Sequence, residues 1–213
     1  MAQFVYLTDP VEIERRSFAQ IRKLTDLGRF APDEQQVAMR LVHSCGDPGI
    51  VTELYFSLGA MTAGLEALRQ GATVLCDVEM VRHGLSRRYL QGDVLCFMNA
   101  EPERANQRGE TRGMRALVHW PKHLAGSIVA IGNAPTALFR LLEMLYAGAP
   151  RPALIIAMPV GFVGAREAKQ ALIEHAPDAL NVPCITLQGR RGGSALTAAA
   201  LNALARLGQG MRF

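Results

Sequence analysis

Ser127-Ile-Val-Ala-Ile-Gly-Asn-Ala-Pro-Thr-Ala-Leu138 decides the fold. Ile128 to Ile131 is an unbroken apolar run of strand length, Gly132-Asn133 reads as a turn, and Pro135 stands at the first turn of an amphipathic stretch. A strand apolar on both faces that leads at once into a helix is half of a βαβ unit. The same alternation recurs on either side. Strands are expected at Val51–Phe56, Thr73–Cys76, Val94–Met98, Ser127–Ile131, Ala153–Ala157 and Cys184–Leu187. Helical patterns lie between them at 59–70, 111–124, 135–147, 163–176 and 193–206. The expected class is α/β: a three-layer α/β/α sandwich around a mostly parallel sheet.

Upstream of this pattern the chain reads as two helices. Asp9-Pro10 opens the first, with Glu12 placed to complete a capping box; Phe18, Ile21, Leu24 and Leu27 line one face, and Gly28 is the expected stop. The second runs from about Pro32 to Cys45, where Gly46-Asp-Pro-Gly49 breaks it. With no internal repeat or linker, residues 1–213 read as one domain: an N-terminal helical segment (1–46) and an α/β core (50–208).

Composition narrows the class further. Of 213 residues 49% are apolar and 20% charged, which excludes a disordered chain, a collagen-like repeat and a disulfide scaffold. Cys45, Cys76, Cys96 and Cys184 are widely spaced with no CxxC pair, so reduced thiols are expected and no metal site. His119 and His123 lack the intervening Glu of a zinc helix and are separated by Pro121. The net charge of +4, without a run of basic residues, gives no reason to expect nucleic acid. The start has no signal-peptide pattern and no stretch is long and apolar enough for a membrane span, so a cytoplasmic location is expected. Twenty of the 23 basic residues are Arg. That bias suits an anionic ligand, and a GC-rich genome produces it equally well.

In an open parallel sheet ligands sit beyond the carboxyl ends of the strands. The loops expected there are Asp77-Val-Glu-Met80, Gly132-Asn-Ala-Pro-Thr136, Met158-Pro-Val-Gly161 and Gly189-Arg-Arg-Gly-Gly-Ser194. Gly132-Asn133 offers free N–H groups at a helix start, and Asn133 is also a possible cap; the Gly189–Ser194 loop adds Arg190 and Arg191 to a similar start. Both are also compatible with ordinary tight turns, and neither matches a nucleotide fingerprint. His43 sits in the last turn of the second helix, where the helix end favours imidazolium while Arg40, one turn earlier, opposes it. Gln36, Arg40 and His43 form a polar stripe over which an anionic substrate could be held and protonated; a capping or surface histidine is the bland alternative. No GxSxG or cysteine nucleophile motif is present.

Six segments together resemble the precorrin-8X methylmutase (precorrin isomerase) family of cobalamin biosynthesis. They are Arg16-Ser-Phe18, Met39-Arg-Leu-Val-His-Ser-Cys-Gly46, Cys76-Asp-Val-Glu-Met-Val-Arg-His-Gly84, Gly126-Ser-Ile-Val-Ala-Ile-Gly-Asn-Ala-Pro-Thr-Ala-Leu138, Met158-Pro-Val-Gly-Phe-Val-Gly164 and Gly192-Gly-Ser-Ala-Leu-Thr-Ala-Ala-Ala200, in the family's order and over nearly the whole chain. The resemblance implies a flavodoxin-like fold, a homodimer, and isomerisation of precorrin-8X to hydrogenobyrinic acid by migration of a methyl group from C-11 to C-12, with no cofactor. It implies His43 as the proton donor, and Ser17, Arg40, Ser86 and Arg112 as substrate contacts. Asn133, Gly192 and Gly193 join them on the loop argument. Implied partners are the tetrapyrrole substrate, a second subunit, and other cobalamin-pathway enzymes receiving the product; neither nucleic acid nor membrane is expected. Three other readings stay open: a corrinoid carrier without turnover, an isomerase of the cobalt-containing substrate, and a general phosphate-binding α/β enzyme.

Overall fold

The computed structural model describes residues 3–100 and 109–213. Helix α1 (Pro10–Leu24) starts at Asp9, whose carboxylate accepts from the N–H groups of Val11 and Glu12. The expected reciprocal bond from Glu12 does not form. Glu12 turns instead to Arg15 and Arg16, each at 2.6 Å, and this pairing holds its carboxyl down at about 2. The helix ends at Thr25, whose hydroxyl caps the carbonyl of Ile21 at 2.6 Å, so the expected stop at Gly28 comes earlier. Helix α2 (Pro32–Cys45) ends as its sequence predicts. Gly46 takes a left-handed φ of 69° and returns its N–H to Val42 at 2.8 Å.

The next strand is shorter than expected. Residues Pro48–Glu53 form a 3-10 turn with Asp47 capping the Gly49 N–H, and only Leu54–Phe56 is strand β1. Then follow α3 (Ala60–Arg69), β2 (Val74–Cys76), α4 (Glu79–Gly84), a 3-10 turn at Arg87–Tyr89 and β3 (Val94–Cys96). The helix expected over 111–124 is broken in three: α5 (Arg112–Ala116), a 3-10 turn (Leu117–His119) and α6 (Pro121–Leu124). Pro121 has no N–H to continue the ladder and so starts a new turn. The chain closes with β4 (Ile128–Ile131), α7 (Pro135–Tyr146), β5 (Leu154–Ala157), α8 (Ala165–His175), β6 (Cys184–Leu187) and α9 (Ser194–Gly208).

The sheet order is β1-β6-β5-β4-β2-β3. Five strands are parallel and β1 runs antiparallel at the edge, pairing Leu54 with Leu187. Without β1, the parallel strands follow the flavodoxin-like order, and the connections reverse direction between β2 and β4. Alternation along each strand divides the core. Ile128, Ala130, Leu154 and Ile156 share a core with α1 to α4 and α9; Val129, Ile131, Ile155 and Ala157 share one with the Leu117–His119 turn and α6 to α8. The two N-terminal helices belong to the first of these layers, with α2 lying along α9.

Candidate active site

Three of the expected site residues meet on α1 and α2. The His43 ring is exposed at one side of α2 and stacks on Phe18 of α1, with centroids 5.1 Å apart and planes 16° apart. Phe18 itself is buried. Arg40 lies one turn before His43 and is half-buried, with Glu14 at 3.9 Å; Arg206 of α9 reaches the same carboxylate at 3.3 Å. Two guanidinium groups therefore share one carboxylate, which leaves the cluster net positive. Partial desolvation against Phe18, and then the nearby Arg40 charge, push the His43 pKa below its ordinary 6.5, while Glu14 acts in the opposite sense. The sequence-based expectation weighed only the helix end against Arg40; desolvation is the larger cause. Ser17, next to Phe18, is half-buried, and its hydroxyl has no hydrogen-bond partner among the described residues.

Ser86 lies in the turn after α4. Its backbone N–H donates to the Asn202 side-chain oxygen at 2.8 Å, and the Asn202 amide donates to the Gly84 carbonyl at 2.8 Å. Asn202 is a lone amide in the Ala- and Leu-rich run of α9. That isolation was a signal for a fixed role, and sequence reasoning missed it.

Arg112 and Asn133 belong to a separate cleft of about 570 Å³ at the carboxyl end of the sheet, lined also by Val78, Met98, Thr111 and Thr136. Arg112 donates to the Asn99 side-chain oxygen at 3.1 Å and Thr111 caps α5. The structure corrects the expected role of Asn133. The N–H groups of Gly132, Asn133 and Ala134 are not free: they donate to the Asp77 carboxylate at 3.0, 2.8 and 2.9 Å. Asp77 is 2% exposed, and burial raises its pKa against the pull of these donors. The α7 start is thus filled from within, and the Asn133 side chain does not cap it.

The Gly189–Ser194 loop is also committed. Arg191 pairs with Asp47 and, at 2.9 Å, with Glu53, so its charge is spent on the segment following α2. The fully buried Lys169 donates its ammonium to the Arg191 carbonyl at 2.5 Å. Gly193 donates to the Met158 carbonyl at 2.7 Å, and a Cβ on Gly192 would lie 2.1 Å from that oxygen. Gly192 is explained by this close approach of two backbones, and Gly193 by its positive φ of 121°. The anion-binding expectation for Arg191 is therefore not met.

An α/β fold of this kind is shared with known proteins. The precorrin-8X methylmutase family model matches residues 12–207. The chain belongs to the precorrin-8X methylmutase family. It is 50% identical over 204 residues to the precorrin-8X methylmutase of Pseudomonas aeruginosa, covering 94% of this chain and 97% of that protein. It is 49% identical to the Sinorhizobium precorrin-8X methylmutase, covering 98% of this chain and 100% of that one. The cobalt-precorrin-8 methylmutase of Priestia megaterium is 35% identical, with 93% and 88% covered. The crystal structure of precorrin-8X methylmutase from Thermus thermophilus aligns with a TM-score of 0.82 at 40% identity, over 93% of this chain and 98% of that one. As a member of this family the protein is an isomerase of cobalamin biosynthesis.

Proposed function

We propose that this chain converts precorrin-8X to hydrogenobyrinic acid by moving a methyl group from C-11 to C-12 of the macrocycle. His43 is the proton donor. The observation that carries this reading is the His43–Arg40 pair on one side of α2, with the imidazole stacked on Phe18 of α1. A carboxylate of the substrate placed at Arg40 offsets the charge that disfavours imidazolium, so binding itself prepares the acid. Protonation of the ring promotes the shift, and the proton returns to the imidazole because substrate and product are isomers. Such a donor is worth about 10²–10⁴-fold. Ser86, Arg112, Asn133, Gly192 and Gly193 are further contacts to the substrate.

The metal-free macrocycle is the preferred substrate, supported by relatives at 49–50% identity that carry the precorrin-8X name against 35% for a cobalt-precorrin relative. We further propose one domain, a cytoplasmic location, a homodimer, and hand-over of product to other enzymes of the pathway. The wide spacing of Cys45, Cys76, Cys96 and Cys184, with no CxxC pair, fits a reducing compartment. The apolar Phe4, Val5 and Tyr6, exposed ahead of α1, support a second subunit.

The test follows the visible spectrum of precorrin-8X with wild type and with His43→Ala. Corrin bands that grow only with wild type support the reading. Near-wild-type turnover by His43→Ala removes His43 from the chemistry. A spectrum shifted by binding but constant in time, with both proteins, makes the protein a carrier.

A further inference from the structure

The ring beneath His43 is itself backed by a residue from the far end of the sequence. Phe213 stacks on Phe18 with centroids 4.2 Å apart and planes 16° apart, so Phe18 is the shared member of a three-ring stack that ends in the imidazole. The same Phe213 ring carries two cations: the Arg40 guanidinium 5.5 Å from its centroid and that of Arg206 at 4.6 Å. Both lie within the roughly 6 Å reach of a cation–π contact.

The segment that delivers this ring is held from two sides. The Phe213 N–H donates to the buried Gln36 side chain at 2.7 Å, Arg22 of α1 donates to the Phe213 carbonyl, and Arg212 pairs with Asp33 of α2 at 2.7 Å. Gln36 belongs to the polar stripe of α2 but points at the backbone of Phe213, which explains a buried amide on that stripe.

We infer that Phe213 is a positioning residue for the proposed acid, holding Phe18 as the plate on which His43 rests and seating Arg40 on its own ring. This rests on the reading of His43 as the proton donor. The charged groups around His43 are Arg40 on its own helix, Glu14 from α1 and, through that shared carboxylate, Arg206 from α9; Tyr89 faces Arg40 from the turn after α4. Phe213 touches both guanidinium groups. With its ring gone, Phe18 tilts, water reaches the face of the imidazole that Phe18 covers, and Arg40 leaves its seat. Each change favours imidazolium, so the His43 midpoint rises.

The test uses Phe213→Ala, Phe213→Leu and Phe213→Tyr in the full chain. The His43 ring is titrated by NMR without substrate, and the pH profile of kcat is measured with precorrin-8X. The midpoint rises in Phe213→Ala and Phe213→Leu, kcat drops about tenfold through loss of orientation, and Phe213→Tyr restores both. The Leu variant keeps apolar volume at the anchor, so a loss it shares with Ala at unchanged circular dichroism is not unfolding. A midpoint and profile left in place by Phe213→Ala overturn the inference, as does a moved midpoint with unchanged kcat. Should wild type itself fail to turn over precorrin-8X, the isomerase reading falls, and the NMR midpoints still decide whether Phe213 sets the state of His43.

Discussion

His43 is useful as a donor only while protonated, and its surroundings work against that state. Desolvation and Arg40 hold its pKa below 6.5, so kcat/KM is expected to fall with rising pH from a point on the acid side of that value. Arg40→Gln removes the second cause; the falling limb then moves to higher pH while the apparent affinity for precorrin-8X weakens. A pH–rate profile of the two proteins checks both statements, and a rate that climbs with pH would remove the donor role. Arg40 and His43 were legible in sequence because helical spacing puts them on one face. Phe213 was not, since a single ring contact made across 195 positions leaves no periodic trace. The N–H groups at Gly132-Asn133 were misread as free for a related reason. The turn chemistry was visible, but the carboxylate that consumes its N–H groups comes from Asp77, 56 positions away.

Among the elements, the loops at the carboxyl end of the sheet depend on buried polar anchors. Asp77→Ala leaves three backbone donors without their partner, and urea unfolding is expected to show a loss of about 3 kcal/mol. Lys169 gives the opposite kind of signature. Burial lowers its pKa to about 8 from 10.5, so the unfolded chain binds more protons between these values. Stability from this group is therefore lowest below pH 8 and recovers as pH rises towards 10.5, by up to about 3 kcal/mol. In Lys169→Met this rise is absent, and the difference between the two unfolding curves across that window isolates it. The strand–helix alternation was readable for β2 to β6 because their apolar runs are continuous. Residues 51–53 were misassigned because Val51 is buried and apolar, as in a strand, while Pro48 and the Asp47 cap decide for a 3-10 turn. At six residues, α4 is too short for a period to show.

At the scale of the molecule, the class, the parallel sheet and the two leading helices were all in the pattern, but the strand order was not. Nothing local specifies which strands become neighbours; that comes from the division of side chains between two helical layers. The antiparallel β1 went unforeseen for the same reason. The exposed run ahead of α1 makes a whole-molecule prediction: wild type sediments as a dimer, and a Phe4→Ser, Tyr6→Ser double variant shifts towards monomer at the same concentration. A double variant with unchanged sedimentation would clear this segment of any part in assembly. The carboxylate of Asp77 has a consequence for life in a crowded metabolism. In doubly wound proteins the crevice between these two central strands is where phosphates settle, and here the chain's own negative charge already occupies the donors that would receive them. ATP and inorganic phosphate should therefore find no seat at the α7 start, and any competition they offer should act through Arg40 and disappear in Arg40→Gln.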